Sequence, residues 1–159
     1  MDYSFVIRRA VAEDAAAIKK ILNEAFTKYI EDTGITSNMD ALLEDEDYIL
    51  KDIHSKDVFI ALIDNIPVGT IRVQIKEGGS AYISRFGVCS DYHNIGIGKA
   101  LMNLIDKILI SRNIGRVYLH TASKYRDLVR FYYGRGFYTE SISNERGYIR
   151  ALMVKEYSS

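Results

Sequence analysis

The sequence predicts a single mixed α/β domain over residues 1–159: one sheet, helices on its faces, and at least one parallel strand pair. Three observations carry this. Hydrophobic periodicity switches between two and 3.6 residues in the order βααβββαβαββ. Helical segments lie on both sides of the strand at Val117–Thr121, and a strand reached through a helix can return parallel to its predecessor. No linker interrupts the series, which holds one proline, Pro67, and no Ser/Gly-rich tract or internal repeat.

The elements follow in order. Phe5–Arg8 is a short extended start. Ile18, Ile21, Leu22, Ala25, Phe26 and Tyr29 recur at helical spacing. Glu13 and Asp14 sit in the first turn, where carboxylates suit the positive helix end, although Val11 has no capping oxygen. Asp32-Thr-Gly34 closes the helix. Met39–Asp52 reads as a second, shorter helix with Leu42, Leu43, Tyr48, Ile49 and Leu50 as its apolar set. Strands at Val58–Ile63, Val68–Ile75 and Ala81–Val88 are separated by the turns Asp64-Asn65 and Gly78-Gly79. A glycine-containing step, His93-Asn-Ile-Gly96-Ile-Gly98, leads into a helix through Arg112, with Leu101, Leu104, Ile105, Ile108 and Leu109 facing inward. Val117–Thr121 is a strand and Tyr125–Tyr133 a helix stopped by Gly134. Phe137–Ile142 and Ile149–Val154 are the last two strands.

Composition narrows the function. Lys and Arg number 21, against 21 Asp and Glu, so the chain is neither a broadly basic nucleic-acid binder nor an acidic tail. The single cysteine, Cys89, precludes an intrachain disulfide framework and suits a reducing compartment. No leader-like segment or membrane-length apolar run is visible, so a soluble, cytoplasmic protein is expected. His54, His93, His120 and Cys89 lack metal-ligand spacing, so no metal is expected. Cys89 and His93 have no third orienting group for a thiol nucleophile, and a small structural cysteine is the simpler reading.

The sharpest chemical signal is Gly96-x-Gly98 between a strand and a helix. Glycines allow close backbone approach, and helix N-terminal amides then point at an anion. A third glycine would complete a dinucleotide fingerprint, but Leu101 stands there; no G-K-[ST] follows for a Walker loop. A bulky side chain at Gly98 is expected to weaken anion binding more than stability.

Two segments then identify a family. The stretch Tyr82-Ile-Ser-Arg-Phe-Gly-Val88-Cys-Ser-Asp-Tyr-His93-Asn-Ile-Gly96-Ile-Gly98-Lys-Ala-Leu101 closely resembles motif A of the GNAT superfamily of N-acetyltransferases. Phe131-Tyr132-Tyr-Gly-Arg-Gly136-Phe137 resembles the family's F-Y-x-x-x-G-F signature, and the order of elements matches from Phe5 to Tyr157. The resemblance implies a GNAT-like mixed, mostly antiparallel sheet with a splayed parallel central strand pair flanked by helices. It implies acetyl-CoA as cosubstrate. The pantetheine arm would run along backbone near Phe86 and Val88, and the pyrophosphate would rest on the amides of His93, Asn94, Ile95, Gly96, Ile97, Gly98 and Lys99. Tyr132 would protonate the departing thiolate. A phenol, with a reference pKa of about 10, is mostly protonated at neutral pH and can donate.

The sequence departs from the family pattern in places. His93 replaces Arg or Gln, which lessens charge support for the pyrophosphate. Tyr125 replaces Asn and Leu128 replaces Ala, so contacts to the pantetheine arm would differ. Tyr82 stands where histone-acetylating members carry a catalytic glutamate. For the base, His120 and Glu77 are candidates; the competing readings are a His120 side chain on the other sheet face and a solvated Glu77. No base is assigned. The acidic run Glu44-Asp-Glu-Asp47 is either a cation attractor beside the acceptor or a solvated helix face. The expected function is direct acetyl transfer from acetyl-CoA to a primary amine, on a small molecule or peptide, with no membrane or nucleic-acid partner. A homodimer stays open. The alternative is a non-catalytic acyl-CoA-binding or sensing module.

Overall fold

The structure is a computed structural model that describes residues 4–35 and 40–158. Among the described residues seven strands form one sheet in the order β1-β2-β3-β4-β5-β7-β6. They are β1 (Phe5–Arg9), β2 (Asp57–Ile63), β3 (Ile66–Lys76), β4 (Ser80–Val88), β5 (Arg116–Ala122), β6 (Tyr138–Ser143) and β7 (Arg150–Glu156). Only β4 and β5 pair in parallel; the other neighbours are antiparallel. The helices are α1 (Ala15–Thr33), α2 (Asp40–Leu43), α3 (Glu46–Ser55), α4 (Ile97–Ser111) and α5 (Arg126–Gly134).

Alternation along the strands splits the core between two faces. Val117 and Leu119 of β5 pack with Ala81 and Ile83 of β4 against Leu101, Ile105 and Leu109 of α4. On the opposite face Ile18, Ile21 and Leu22 of α1 and Ile49 of α3 cover Val58 and Ile60 of β2. Gly87 lets α1 approach β4, because a Cβ there would lie 3.0 Å from that of Ala25.

The uncapped helix start is resolved locally. Residues Ala12–Asp14 form a 3₁₀ turn before α1, and the Asp14 carboxylate accepts the Val11 N–H at 2.7 Å. Arg8 grips the same carboxylate through both terminal nitrogens, at 2.6 and 3.0 Å, and holds its pKa below the ordinary range.

The expected single helix at 39–52 is two helices. Met39 lies outside the described residues; beyond it, α2 ends at Leu43 and α3 begins at Glu46. Asp45 makes the break, since its backbone is extended and its Oδ1 accepts the Tyr48 N–H at 2.8 Å, an N-cap in mid-segment. The break turns Glu44 inward. Its Oε1 lies 2.8 Å from Arg72 Nη2, and its Oε2 accepts from Arg85 Nε at 2.8 Å. Arg72 is fully buried and also reaches Asp52 at 2.7 Å. Neither reading of the acidic run therefore holds for Glu44 or Asp45: one is a buried counter-ion and the other a cap. Glu46 and Asp47 occupy the first turn of α3, the favourable end of its dipole.

The parallel pair explains the site. Its register covers only Ser80 to Tyr82 against Arg116 to Tyr118. Beyond that, β4 stays with β3 and β5 stays with β7, so the two strands part. A bulge bends β4 at that point. Two steps along β3, from Thr70 to Arg72, match three along β4, from Gly87 to Ser84, and Arg85 takes φ +51°.

Candidate active site

Two cavities meet where β4 and β5 separate. The larger, about 370 Å³, runs from Val88 along the start of α4 to Tyr125, just before α5, and Phe131 on α5. The smaller, about 120 Å³, lies between Tyr82 and His120 of the parting strands and includes Tyr132, Arg146 and Arg150. Tyr29, Phe86 and Leu128 line both.

The groove is built for an anion at one end. Gly96 is the residue before α4 and takes φ +91°, a conformation that disfavours any side chain. Ala100 N–H is bonded to the Gly96 carbonyl. The amides of Ile97, Gly98 and Lys99, in the first turn, have no partner within the helix and face the groove's end.

The structure corrects the reason for Gly98. Its φ is not positive, and a Cβ there would lie 3.1 Å from Phe86 Cζ and 3.6 Å from Phe131 Cζ. Gly98 lets these stacked rings, 5.9 Å apart, close against the helix. A valine would disturb packing as well as the groove, so binding and stability do not separate there.

Of the residues singled out for the cofactor, Phe86, Val88, His93, Asn94, Gly96, Ile97, Gly98, Lys99 and Tyr125 line the groove. Ile95 does not; its side chain is half exposed. The His93 ring turns back along the loop, with Nε2 2.8 Å from the Val88 carbonyl, which fixes Nε2 as the donor. Tyr125 donates to Asp32 at 3.1 Å and packs edge-on against Tyr29. Burial, and then Asp32, push its pKa up to about 12. Tyr29 in turn accepts the Ala122 N–H at 2.5 Å and so ties α1 to the end of β5.

Tyr132 is 4% exposed and packs against Phe86, Phe131 and Phe137. Its hydroxyl makes no hydrogen bond among the described residues, and it lines the smaller cavity beside the shared wall. Burial pushes its pKa far up, so the phenol stays protonated. Tyr133 faces away, half exposed, and donates to Thr139 at 3.0 Å.

His120 is not isolated. Its Nδ1 lies 2.6 Å from the Tyr82 hydroxyl inside the smaller cavity. Burial first, then Arg150 and Arg146, lower its pKa, so the ring is neutral near pH 7. Tyr82 is raised, chiefly by burial. The sheet register joins them: Tyr82 pairs with Tyr118 across the parallel rungs, and His120 lies one alternation further along the same face. Arg85 and Arg150 carried no local signal. Cys89 is a thiol, its pKa pushed up to about 11 by burial and then Glu24. Among the described residues no group of three or more His, Cys, Asp or Glu could hold a metal ion. No helix among them is long and apolar enough to cross a membrane.

Comparison with known proteins decides the family. The model of the acetyltransferase (GNAT) family matches residues 16–137. The chain belongs to the GNAT acetyltransferase family. Solved structures of low sequence identity share its fold. The PaiA N-acetyltransferase of Thermoplasma acidophilum, solved with coenzyme A, is 22% identical, with TM-score 0.85 over 97% of this chain and 99% of that one. The ribosomal-protein-S18-alanine N-acetyltransferase of Escherichia coli is 15% identical, with TM-score 0.79 over 98% and 96%. A putative streptothricin acetyltransferase of Bacillus anthracis, solved with acetyl-CoA, is 20% identical, with TM-score 0.60 over 65% and 64%. As in other GNAT proteins the acyl donor is acetyl-CoA. The mostly antiparallel sheet with one splayed parallel pair matches the expectation drawn from the motif resemblance.

Proposed function

We propose that this GNAT protein moves the acetyl group of acetyl-CoA to the nitrogen of a primary amine, directly, in a ternary complex. One observation carries the reading: the hydroxyl of the buried Tyr132, which makes no hydrogen bond among the described residues, lines a cavity at the wall it shares with a groove ending in free helix amides. A donor in the groove and an acceptor in the cavity would meet beside that hydroxyl.

Acetyl-CoA supplies an activated thioester. The chain does the rest. The amides that open α4 hold the pyrophosphate. The edge of β4 that leaves β5 offers backbone groups to the pantetheine arm, and an amide near Val88 stabilises negative charge on the carbonyl oxygen. The cavity places the amine for attack, and this positioning can supply roughly 7–11 kcal/mol of the barrier. His120 is the base: Tyr82 hands its proton to Nδ1 as it takes one from the amine. Tyr132 gives its proton to sulfur. One C–N bond forms, one C–S bond breaks, and one proton leaves nitrogen while another reaches sulfur.

Calorimetric titration tests the donor site. Acetyl-CoA is expected to bind one site per chain, with ATP and NAD at least 10-fold weaker, since the glycine spacing fits neither nucleotide motif. Equal affinity for all three would remove the groove's assignment.

A further inference from the structure

The smaller cavity carries an uncompensated positive charge, and this bears on the unknown acceptor. Of its three arginines, Arg85 is neutralised by Glu44 and Arg146 by Asp40, at 2.8 and 2.6 Å. Arg150 has no ion pair or hydrogen bond from its side chain among the described residues, and its Nε is buried without a partner. Its position is fixed: it opens β7, paired with Ala122 of β5 on one side and Ser143 of β6 on the other. Cross-strand partners share a face, so Arg150 lies on the face of Ala122 and His120. Glu145 is the other carboxylate close enough to influence His120, but it is exposed and outside the cavity lining.

A buried guanidinium atom without an acceptor costs about 1–3 kcal/mol or more, unless something supplies one. The group that suits a guanidinium fork is an oxyanion, held by two parallel hydrogen bonds. A second ammonium on the acceptor would meet repulsion there. The cavity has room for roughly ten water-sized groups, the scale of an amino acid.

We infer that the acceptor is a small amine that also carries a carboxylate, and that Arg150 binds the carboxylate while the amine faces Tyr82 and His120. This rests on the acetyl-transfer reading and narrows it. It also reverses the sequence-based idea of an acidic attractor: the cavity selects for an anionic group, and Glu44 and Asp45 of the acidic run are engaged elsewhere.

Thiol release at saturating acetyl-CoA tests it with matched probes. A set of α- and ω-amino acids is compared with their carboxamides, with 1,4-diaminobutane as the dicationic control. The best amino acid should exceed its own carboxamide by about 10- to 100-fold in kcat/KM, the range of a charge-assisted hydrogen bond. In Arg150→Gln this ratio should fall to near one, mainly through KM, and Arg150→Lys should restore part of it. A preference for the diamine, or an unchanged ratio in Arg150→Gln, overturns the inference. If the glutamine variant does not fold, inhibition of the wild type decides: propionate should compete with the amine and propionamide should not, and equal inhibition counts against Arg150. If no amine turns over, N-acetyl amino acids and their amides are titrated into the enzyme with CoA, and equal affinity is again the contrary result. Failure to bind acetyl-CoA would sink the acetyl-transfer reading itself. Binding with a preference for diamines would sink this inference alone.

Discussion

Tyr132→Phe is expected to lower kcat about 100-fold and to leave acetyl-CoA affinity and melting temperature nearly unchanged. The three parts have separate causes. General acid catalysis contributes roughly 10²–10⁴-fold. The leaving group is a thiol, with a pKa of about 8.5 by analogy with cysteine, so it can depart unprotonated and the loss falls at the low end. Affinity is spared because the proton matters only as the C–S bond breaks. Stability is spared because the hydroxyl has no protein partner to leave unpaired, and phenylalanine keeps the ring against Phe86, Phe131 and Phe137. Stopped-flow kinetics, titration and a melting curve read the three parts separately. Wild-type kcat in the variant would pass the proton to water or another donor.

Burial also changes the pH profile expected from the sequence. A phenol of ordinary pKa would ionise near pH 10 and cut the rate. Tyr132 is pushed well above that, so no descending limb from Tyr132 should appear up to about pH 10. His120 is lowered, so its base form predominates at pH 6.5 and above, and its protonation cuts the rate as pH falls below that. Any rise of kcat/KM above pH 7 then reports deprotonation of the amine. A fall beginning at pH 8 to 9 in the wild type, absent from Tyr132→Phe, would contradict the assigned burial.

The largest stability loss is expected at Arg72→Met. Arg72 is fully buried and joins Glu44 to Asp52, while Glu44 also holds Arg85 at the bulge and Asp52 holds Lys56 at 3.2 Å. Methionine fills similar space but removes the cation shared by two buried carboxylates, leaving Glu44 with Arg85 alone and Asp52 with Lys56 alone. Breaking such a pair from one side costs about 3–5 kcal/mol. At about 2–4 °C per kcal/mol for a chain of this size, the melting temperature should fall by roughly 6–20 °C. Lys28→Ala is the control. It removes an exposed α1 pair with Asp32, worth about 0.3–0.5 kcal/mol. Equal shifts in the two variants would mean that the Arg72 network contributes no more than a surface pair.

Periodicity located the strands and long helices, because burial on one face imposes it directly. It could not see the break at Asp45: Leu42, Leu43, Tyr48, Ile49 and Leu50 satisfy one continuous helix equally well. Glu44 looked solvated because its partners, Arg72 and Arg85, come from other strands. Gly98 was legible as a glycine that permits close approach, but what approaches is a pair of rings. The splay of β4 from β5 came from the motif resemblance alone, since periodicity marks a strand but not where its pairing with a neighbour ends. His120 and Tyr82 each stood out singly; the register that joins them is a property of the sheet. Arg150 was silent, because an arginine opening a strand is ordinary until its neighbours leave it unpaired.

The central claim is acetyl transfer to nitrogen, and product stoichiometry tests it most directly. Enzyme, acetyl-CoA and an amine mixture that includes amino acids are incubated, and free CoA thiol is measured beside N-acetylated product by mass spectrometry. The account predicts one N-acetyl product for each CoA released, with both reduced together in Tyr132→Phe. Acetyl-CoA bound by the protein, with no N-acetylated product from any amine, would contradict it and favour a module that binds acyl-CoA without catalysis.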